Sequence, residues 1–427
     1  MIKRESKKKF SIKHINAWRM HRQWLDRPFK GSVLALVQSI GWIYSPGCST
    51  PYLSLWARMP KFRRASLDKL VFKEQKLVQL ETLRGCTMLL PPEQAPIALR
   101  IRSRTFTELS KQARPLMPIA DRELERLKAA VALALENGPL GYDEILEEVP
   151  PGLVRAFPLE LRRIGLIGSL WLAINLLKEE GRVLKLQSNK RLDTTEYSFV
   201  LLSNLLPEID PFRLQIERAN TELAGLYFRS EGPARIKDFA WWAGINVSDA
   251  MRAAAEVRPF LAQVAVQNSK DEFLINAADL EEFSDFNGSD TPNVNFLPYR
   301  DIYLKGQREV VNRFVQTKHF DKPFSRWKGK LINDPLATIV NNGEVVGIWE
   351  WNSDKRGKLD FVLFDGATPK KVQTLIRKRS LELGSFIKDN LGEIRVQGVD
   401  YGRHQMTRIH DLKAYWGQGA QVDVSPV

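Results

Sequence analysis

One order of elements occurs twice in the middle of the chain and limits the fold more than any other feature. In the first copy, Glu123 to Glu136 carries Leu124, Leu127, Val131 and Leu135 at helical spacing. Gly138-Pro139 turns into a short helix, Tyr142 to Glu148, and a third helix, Ser169 to Glu180, ends at Gly181. Val183 to Gln187 and Thr195 to Leu201 read as strands around Ser188-Asn189-Lys190-Arg191. The second copy repeats this: a helix Arg218 to Arg229, the turn Gly232-Pro233, then helices Arg235 to Ala243 and Ser248 to Val257. Its strands are Phe260 to Val266 and Glu272 to Asn276, around Gln267-Asn268-Ser269-Lys270. Helix, Gly-Pro, helix, helix and hairpin is the plan of a winged helix. Such a module commonly sets its third helix in a nucleic-acid groove and its basic hairpin on the backbone, and it also serves as a purely structural unit.

The flanks supply the rest of the architecture. Residues 1–9 hold five Lys or Arg and read as a flexible basic arm. Helix begins near Ile12, and Ser32 is placed to cap the next one. In Ser39 to Met59 the apolar helix marked by Leu34, Val37, Ile40 and Ile43 breaks at Ser45-Pro46-Gly47-Cys48-Ser49-Thr50-Pro51, and a second helix starts with Tyr52, Leu55 and Trp56. This loop is expected to point polar groups outward. Another helix starts at Ser66. Leu77 to Leu90 reads as a buried element broken by Gly85, and helix resumes as far as about Lys111. Ser284 to Asn295 reads as a linker. Beyond it Asn342-Gly343 joins the strands Ala337 to Asn341 and Glu344 to Trp351, with a further strand at Leu359 to Phe364. Pro369 to Asn390 is a helix with Val372, Leu375, Leu383 and Ile387 inward and Lys370, Lys371, Arg377, Lys378 and Arg379 outward. The expected fold is α+β and mainly helical, with tandem winged-helix modules and a C-terminal β-rich domain. Its domains are 1–120, 121–208, 209–285 and 286–427.

The 427 residues include 64 Lys and Arg against 50 Asp and Glu, a net charge of +14. Such a surplus favours a polyanion, with nucleic acid ahead of membrane. No apolar run reaches the roughly 18 residues that span a bilayer, Gly165 to Leu177 being the longest candidate. The basic N-terminus lacks the apolar core of a signal peptide. A cytoplasmic, nucleoid-associated location is therefore expected. Two cysteines, Cys48 and Cys86, and five scattered histidines, His14, His21, His319, His404 and His410, match no metal-ligand spacing. Neither a metal nor a cofactor is expected.

Several segments carry a resemblance. Pro51 to Arg58, Arg84-Gly85-Cys86-Thr87, Gly232-Pro233-Ala234 through Trp241-Trp242-Ala243-Gly244, Phe296 to Gly306 and Asn341 to Trp349 together resemble the AlkZ-like winged-helix DNA glycosylases. That resemblance covers nearly the whole chain. It implies tandem winged helices forming a concave basic surface for double-stranded DNA, and excision of N-alkylated purines or unhooking of interstrand crosslinks. The protein is expected to act as a monomer, with no membrane partner. Arg58, Arg84, Tyr303, Lys305 and Arg308, with Lys190 and Arg191 of the first wing, are expected to face DNA.

The departure lies at the chemistry. Enzymes of that family carry Gln, an apolar residue, then Gln or Asp at the end of the opening helix, where this chain has Tyr44-Ser45-Pro46. A histidine often found after the Arg-Gly-Thr element is Met88 here. Breaking an N-glycosidic bond passes through an oxocarbenium-like sugar, and one polar side chain must place a water and stabilise the charge. Tyr44 and Ser45 stand as catalytic candidates: the Tyr44 hydroxyl can orient a water, Ser45 falls where an apolar residue should pack inward, and Pro46 has no side-chain donor or acceptor. Gln38 and Glu81 are the candidate substitutes; their ordinary roles would be a surface helical residue and an ion-pair partner of Arg84. The competing reading is a non-catalytic winged-helix protein that binds DNA for damage sensing or regulation.

Overall fold

The computed structural model describes residues 5–392 except 103, 195, 211, 290, 309–312, 320–323, 328–329, 353–357 and 366–367. Of the basic arm, residues 5–9 belong to a strand, and residues 1–4 lie outside the described residues. β1 (Glu5–Phe10) runs parallel to Leu261–Val266, with Phe10 opposite Val266. An exposed strand edge leaves a row of unpaired amides and carbonyls, and the arm takes them up. Phe10 is buried against Phe283, with ring centres 4.6 Å apart, while Lys8 and Lys9 stay exposed. α1 (Ile12–Arg22) and α2 (Val33–Ile40) follow, each with the serine before it accepting an amide hydrogen bond: Ser11 from His14 at 3.1 Å, Ser32 from Ala35 at 3.2 Å.

Next come β2 (Ile43–Tyr44), α3 (Thr50–Arg58), α4 (Arg64–Asp68), β3 (Val78–Glu81) and β4 (Thr87–Leu90). The apolar run read as one broken element is a hairpin, β3 and β4, turning through Arg84 and Gly85 at φ +53° and +72°. β2 adds to it in the order β2-β4-β3. Alternation sorts its side chains. Tyr44, Leu80 and Met88 join one apolar cluster, Ile43 and Leu89 another, and Ser45 shares the second face with Gln79. α5 (Ala95–Arg100) and α6 (Thr105–Ala113) complete this region.

Both repeats have the expected order. The first comprises α7 (Asp121–Ala134), α8 (Tyr142–Glu148), a short intervening α9 (Leu159–Arg163), α10 (Ser169–Glu179), β5 (Val183–Gln187) and β6 (Tyr197–Leu201). After α11 (Leu202–Leu205), the second comprises α12 (Ile216–Glu231), α13 (Ile236–Ala243), α14 (Val247–Val257), β7 (Leu261–Val266) and β8 (Phe273–Asn276). The two third helices differ. α10 is buried at Leu170, Leu172, Ala173, Ile174 and Leu177, and also at Asn175, Lys178 and Glu179, so it packs inside and is not free to enter a groove. α14 keeps Val247, Ser248, Met251 and Arg252 exposed.

The segment read as a linker is tied down. It begins within α15 (Leu280–Asp285), and Phe286 packs its ring 4.9 Å from that of His21 and 5.6 Å from that of Trp18. It ends inside β9 (Val294–Leu297). α16 (Ile302–Lys305), the pair β10 (Phe324–Trp327) and β11 (Lys330–Pro335), then β12 (Thr338–Asn341), β13 (Glu344–Asn352) and β14 (Lys358–Leu363) follow. The four-stranded sheet has the order β14-β13-β12-β9, and Asn342 and Gly343 both take positive φ in its turn. α17 (Lys370–Phe386) covers the sheet with Val372, Ile376 and Leu383. Of its basic residues Lys370, Lys371, Arg377 and Lys378 are exposed, whereas Arg379 stacks over Trp56 at 4.6 Å. Among the described residues no helix is long and apolar enough to cross a membrane.

Buried charges fasten these parts together. Arg58 at the end of α3 holds Asp301 with two hydrogen bonds of 2.9 and 2.8 Å, both side chains fully buried, and Ser54 adds a third bond to Asp301 at 2.7 Å. Arg19 pairs with Glu231 and donates to the Tyr303 carbonyl at 2.9 Å. Gly306 lies against the Glu231 carboxylate, and a side chain at that position would collide with it.

Removing one member of the deepest pair tests its role. Asp301→Ala leaves the Arg58 guanidinium buried without its counter-charge, so the protein is expected to lose about 3–5 kcal/mol of stability. Urea unfolding of the purified variant measures it, and a loss near zero would refute the role given to the pair. Acid tests a second pair. Glu123 accepts two 2.8 Å bonds from Arg155 and one of 3.0 Å from the Ala120 amide, which pull its carboxyl from the usual 4.5 down to about 2. A depressed carboxyl contributes stability that is present above pH 4.5 and lost as the pH falls towards about 2. Glu123→Gln should flatten the dependence of melting temperature on pH in that window.

Candidate functional site

Of the triplet Tyr44-Ser45-Pro46, the first two residues are buried and Pro46 is half-buried. Tyr44 is 2 % exposed and sits in the apolar cluster with Met88 and Leu80. Ser45 is 0 % exposed. Its amide donates to the Thr87 carbonyl at 2.9 Å, and its hydroxyl and carbonyl accept from the Gln79 amide group at 2.7 and 3.3 Å. The loop after Pro46 is covered rather than exposed. Ser49 donates to Asp193 at 3.3 Å, Thr50 donates to the Tyr299 carbonyl at 2.8 Å, and burial pushes the Cys48 thiol pKa up. The expectation of outward-pointing polar groups is thus corrected: the hairpin β5–β6 closes over the loop, with Gln187 and Thr194 beside Gly47.

Gln38 is exposed on α2. Glu81 is half-buried on β3, and its partner is Lys178 at 2.7 Å rather than Arg84. Gln38 thus faces solvent and Glu81 faces α10, whereas Ser45 is satisfied by Gln79 and Thr87.

A second group of residues converges. Arg84 is exposed, with its guanidinium 4.3 Å from the ring centre of Trp241 and Nη1 donating to the Trp241 carbonyl at 3.4 Å. Lys305 Nζ lies 5.3 Å from the same ring. Arg300 donates to Cys86 Sγ at 3.7 Å and lies 5.0 Å from the Tyr299 ring. Arg84 and Arg300 both occupy the left-handed backbone region, φ +53° and +58°, which side chains other than glycine rarely adopt and which gathers at working sites. Gly244 caps α13 at φ +74°, and a Cβ there would lie 2.5 Å from Arg84 Cγ, so the tryptophan segment needs glycine for the arginine to reach the indole. Three stretches distant in sequence, 84–86, 241–244 and 299–305, therefore build one basic and aromatic cluster.

The other residues expected to face DNA divide. Arg58 and Tyr303 do not face solvent at all. Arg58 is consumed by Asp301, and the Tyr303 hydroxyl donates to the carbonyls of Asn16 at 3.3 Å and Gly343 at 3.2 Å. Lys305 is only 3 % exposed. Arg308 and Lys190 are exposed, while Arg191 is held by Asp193 at 2.8 and 2.9 Å and donates to the Leu391 carbonyl. Among the described residues no group of three or more His, Cys, Asp and Glu side chains is arranged to hold a metal ion.

The segments that meet here are those on which the resemblance rests, and the profile of the family described as DNA glycosylase AlkZ-like matches residues 37–377. The chain belongs to the AlkZ-like DNA glycosylase family. It is accordingly a DNA-acting, DNA-repair glycosylase-like protein. The Streptomyces sahachiroi DNA glycosylase AlkZ has a similar fold, with a TM-score of 0.67 at 21 % identity over 88 % of this chain and 96 % of that one. No curated protein matches the chain. β1, α1 and the first half of α2 lie before the matched region, yet Arg19 and Asn16 of α1 hold the family's Tyr-Leu-x-Gly segment in place.

Sequence reasoning missed Gln79, Arg300 and Trp241. Gln79 and Glu81 had a signal: polar residues at alternate positions in Leu77-Val78-Gln79-Leu80-Glu81 mark a strand with one polar face. Gln79 is the donor that satisfies Ser45. Gln79→Leu should cost about 1–3 kcal/mol by orphaning the buried hydroxyl and carbonyl, and adding Ser45→Ala should recover part of it. A double-mutant cycle on unfolding free energy reads the coupling.

Proposed function

We propose that this protein binds double-stranded DNA through Arg84, Trp241 and Arg300, with Lys305 buried behind the indole, and that it does not run base excision through the position its relatives use. The observation that carries this reading is the burial of Tyr44 and Ser45, 2 % and 0 % exposed, with Ser45 already satisfied by Gln79. A group that places a water on a sugar must touch solvent or substrate. Pro46 offers nothing in compensation.

The cluster suits a duplex. Guanidinium groups pair with phosphates in two-pronged fashion, and an indole flanked by cations offers an apolar face beside them. The two repeats are read as winged helices, with α14 as the one third helix open to a groove and exposed Lys190 on the hairpin of the other repeat. Arg308 extends the basic surface.

The test pairs binding with chemistry. Duplex DNA carrying N7-methylguanine is incubated with the protein, release of free base is followed, and affinity is measured across a salt series. Binding without release is expected. Arg84→Glu with Arg300→Glu should weaken binding and flatten the plot of log affinity against log salt by about 0.9 for each phosphate no longer neutralised. An unchanged slope in the folded double variant refutes the cluster as the interface. Base release abolished by Glu81→Gln refutes the non-catalytic reading and places excision on that carboxylate.

A further inference from the structure

Behind the turn that carries Arg84 lies a cavity of about 260 Å³ with several charged side chains in its wall, lined by Glu81, Arg102, Phe106, Asn175, Lys178 and Glu179 among others. A water occupies roughly 30 Å³ of liquid, so the cavity has room for a tetrahedral oxyanion and its attached group. Most of its charges are answered from within. Glu179 caps α6, accepting from the amides of Phe106 at 2.7 Å and Thr107 at 2.8 Å and from the Thr107 hydroxyl at 2.7 Å. Glu81 is paired with Lys178 at 2.7 Å, and Lys178 also donates to Asn175 Oδ1 at 3.2 Å.

Arg102 is the exception. It is 8 % exposed and lines the cavity, and its Nε has no hydrogen-bond partner among the described residues. Burial lowers its pKa to about 10, and it remains charged at neutral pH. Two nearby carboxylates, Glu81 and Glu179, favour that charge, and Arg104, exposed at the edge of α6, opposes it. A buried guanidinium with an unmet donor calls for an acceptor of negative charge. Lys178 has three protons and gives two of them to Glu81 and Asn175, which leaves one for the same acceptor.

We propose that this cavity is a phosphate-binding subsite in which Arg102, supported by Lys178, receives a phosphoryl group. Planar guanidinium donors match phosphate geometry, and Thr82 and Gly85 of the turn that carries Arg84 line the cavity. The phosphoryl group comes either from the DNA backbone, in which case the proposal rests on the DNA-binding reading above, or from free phosphate or a mononucleotide.

The experiment has two arms on the full chain. In the first, melting temperature is followed as inorganic phosphate is added at constant ionic strength against chloride. Wild type should rise, and Arg102→Gln and Asn175→Asp should not, the second variant placing a carboxylate beside Lys178 with little change of shape. Arg102→Lys, which keeps the charge, should respond in part. In the second arm the salt slope of duplex binding is compared between wild type and Arg102→Gln. A slope lower by about one assigns the site to a backbone phosphate. An unchanged slope, with the phosphate response lost in the variant, assigns it to a free phosphate or mononucleotide. No phosphate-specific rise in wild type together with an unchanged slope overturns the proposal. If wild type binds no duplex, the DNA reading fails while the first arm still decides the subsite. Should Arg102→Gln not fold, Asn175→Asp carries both arms.

Discussion

The Arg58–Asp301 pair is the constraint on which the rest of the structure depends. Two charges taken fully out of water cost more than their attraction returns unless every lone pair and proton is placed. Here they are placed: Asp301 accepts from both guanidinium nitrogens and from Ser54, and Arg58 donates in addition to the carbonyls of Gln23 and Ser54. Such a pair tolerates one register only. It locks α3 to the segment that starts at Tyr299, and the same segment carries Arg300 and Lys305. Lys305 beside Trp241 and Arg300 beside Cys86 thus sit on a segment fixed by a bond made deep in the interior. Arg19 with Glu231 does the same for α12, from which the chain runs on to α13 and its tryptophan.

This division of labour accounts for the family's motifs. Arg58, Asp301, Tyr303 and Gly306 hold the frame, while Arg84, Trp241 and Arg300 line its surface. A chain can keep every residue of the frame and still change what stands at the catalytic position, because Tyr44, Ser45 and Pro46 take no part in the buried pairs. Tyr44 adds apolar surface to a cluster, and Ser45 exchanges hydrogen bonds with Gln79 and Thr87. The strand is held by these contacts, so a change of residues at this position need not cost the fold.

Local elements are legible in the sequence for a local reason. The repeats, the Asn342-Gly343 hairpin and α17 announce themselves by periodicity and turn residues within a few positions. Contacts made across hundreds of residues leave no such mark. Nothing near Arg58 says that its partner stands at 301, so an arginine in a well-matched motif reads as a DNA contact. The arm at residues 1–9 reads as solvated because its lysines are visible and the open edge of β7 is not. The loop after Pro46 reads as exposed because its cover, the hairpin β5–β6, comes much later in the chain. Conversely Arg84, Gly85 and Cys86 read as a motif, but only folding shows that they meet Trp241 and Arg300.

The parallel pairing of β1 with β7 sets an order of events in the cell. Phe10 meets Val266 only once roughly 250 further residues have been made, which at about 5–20 residues per second is on the order of ten to fifty seconds on the ribosome. Arg58 waits about as long for Asp301. Throughout that interval the opening region has its strand edge unpaired and a guanidinium without its counter-charge, and it offers both to whatever attends the nascent chain. Early synthesis is therefore the stage at which this protein is most open to proteases and to holding chaperones, and slowing translation late in the message would lengthen that exposure without altering a single residue.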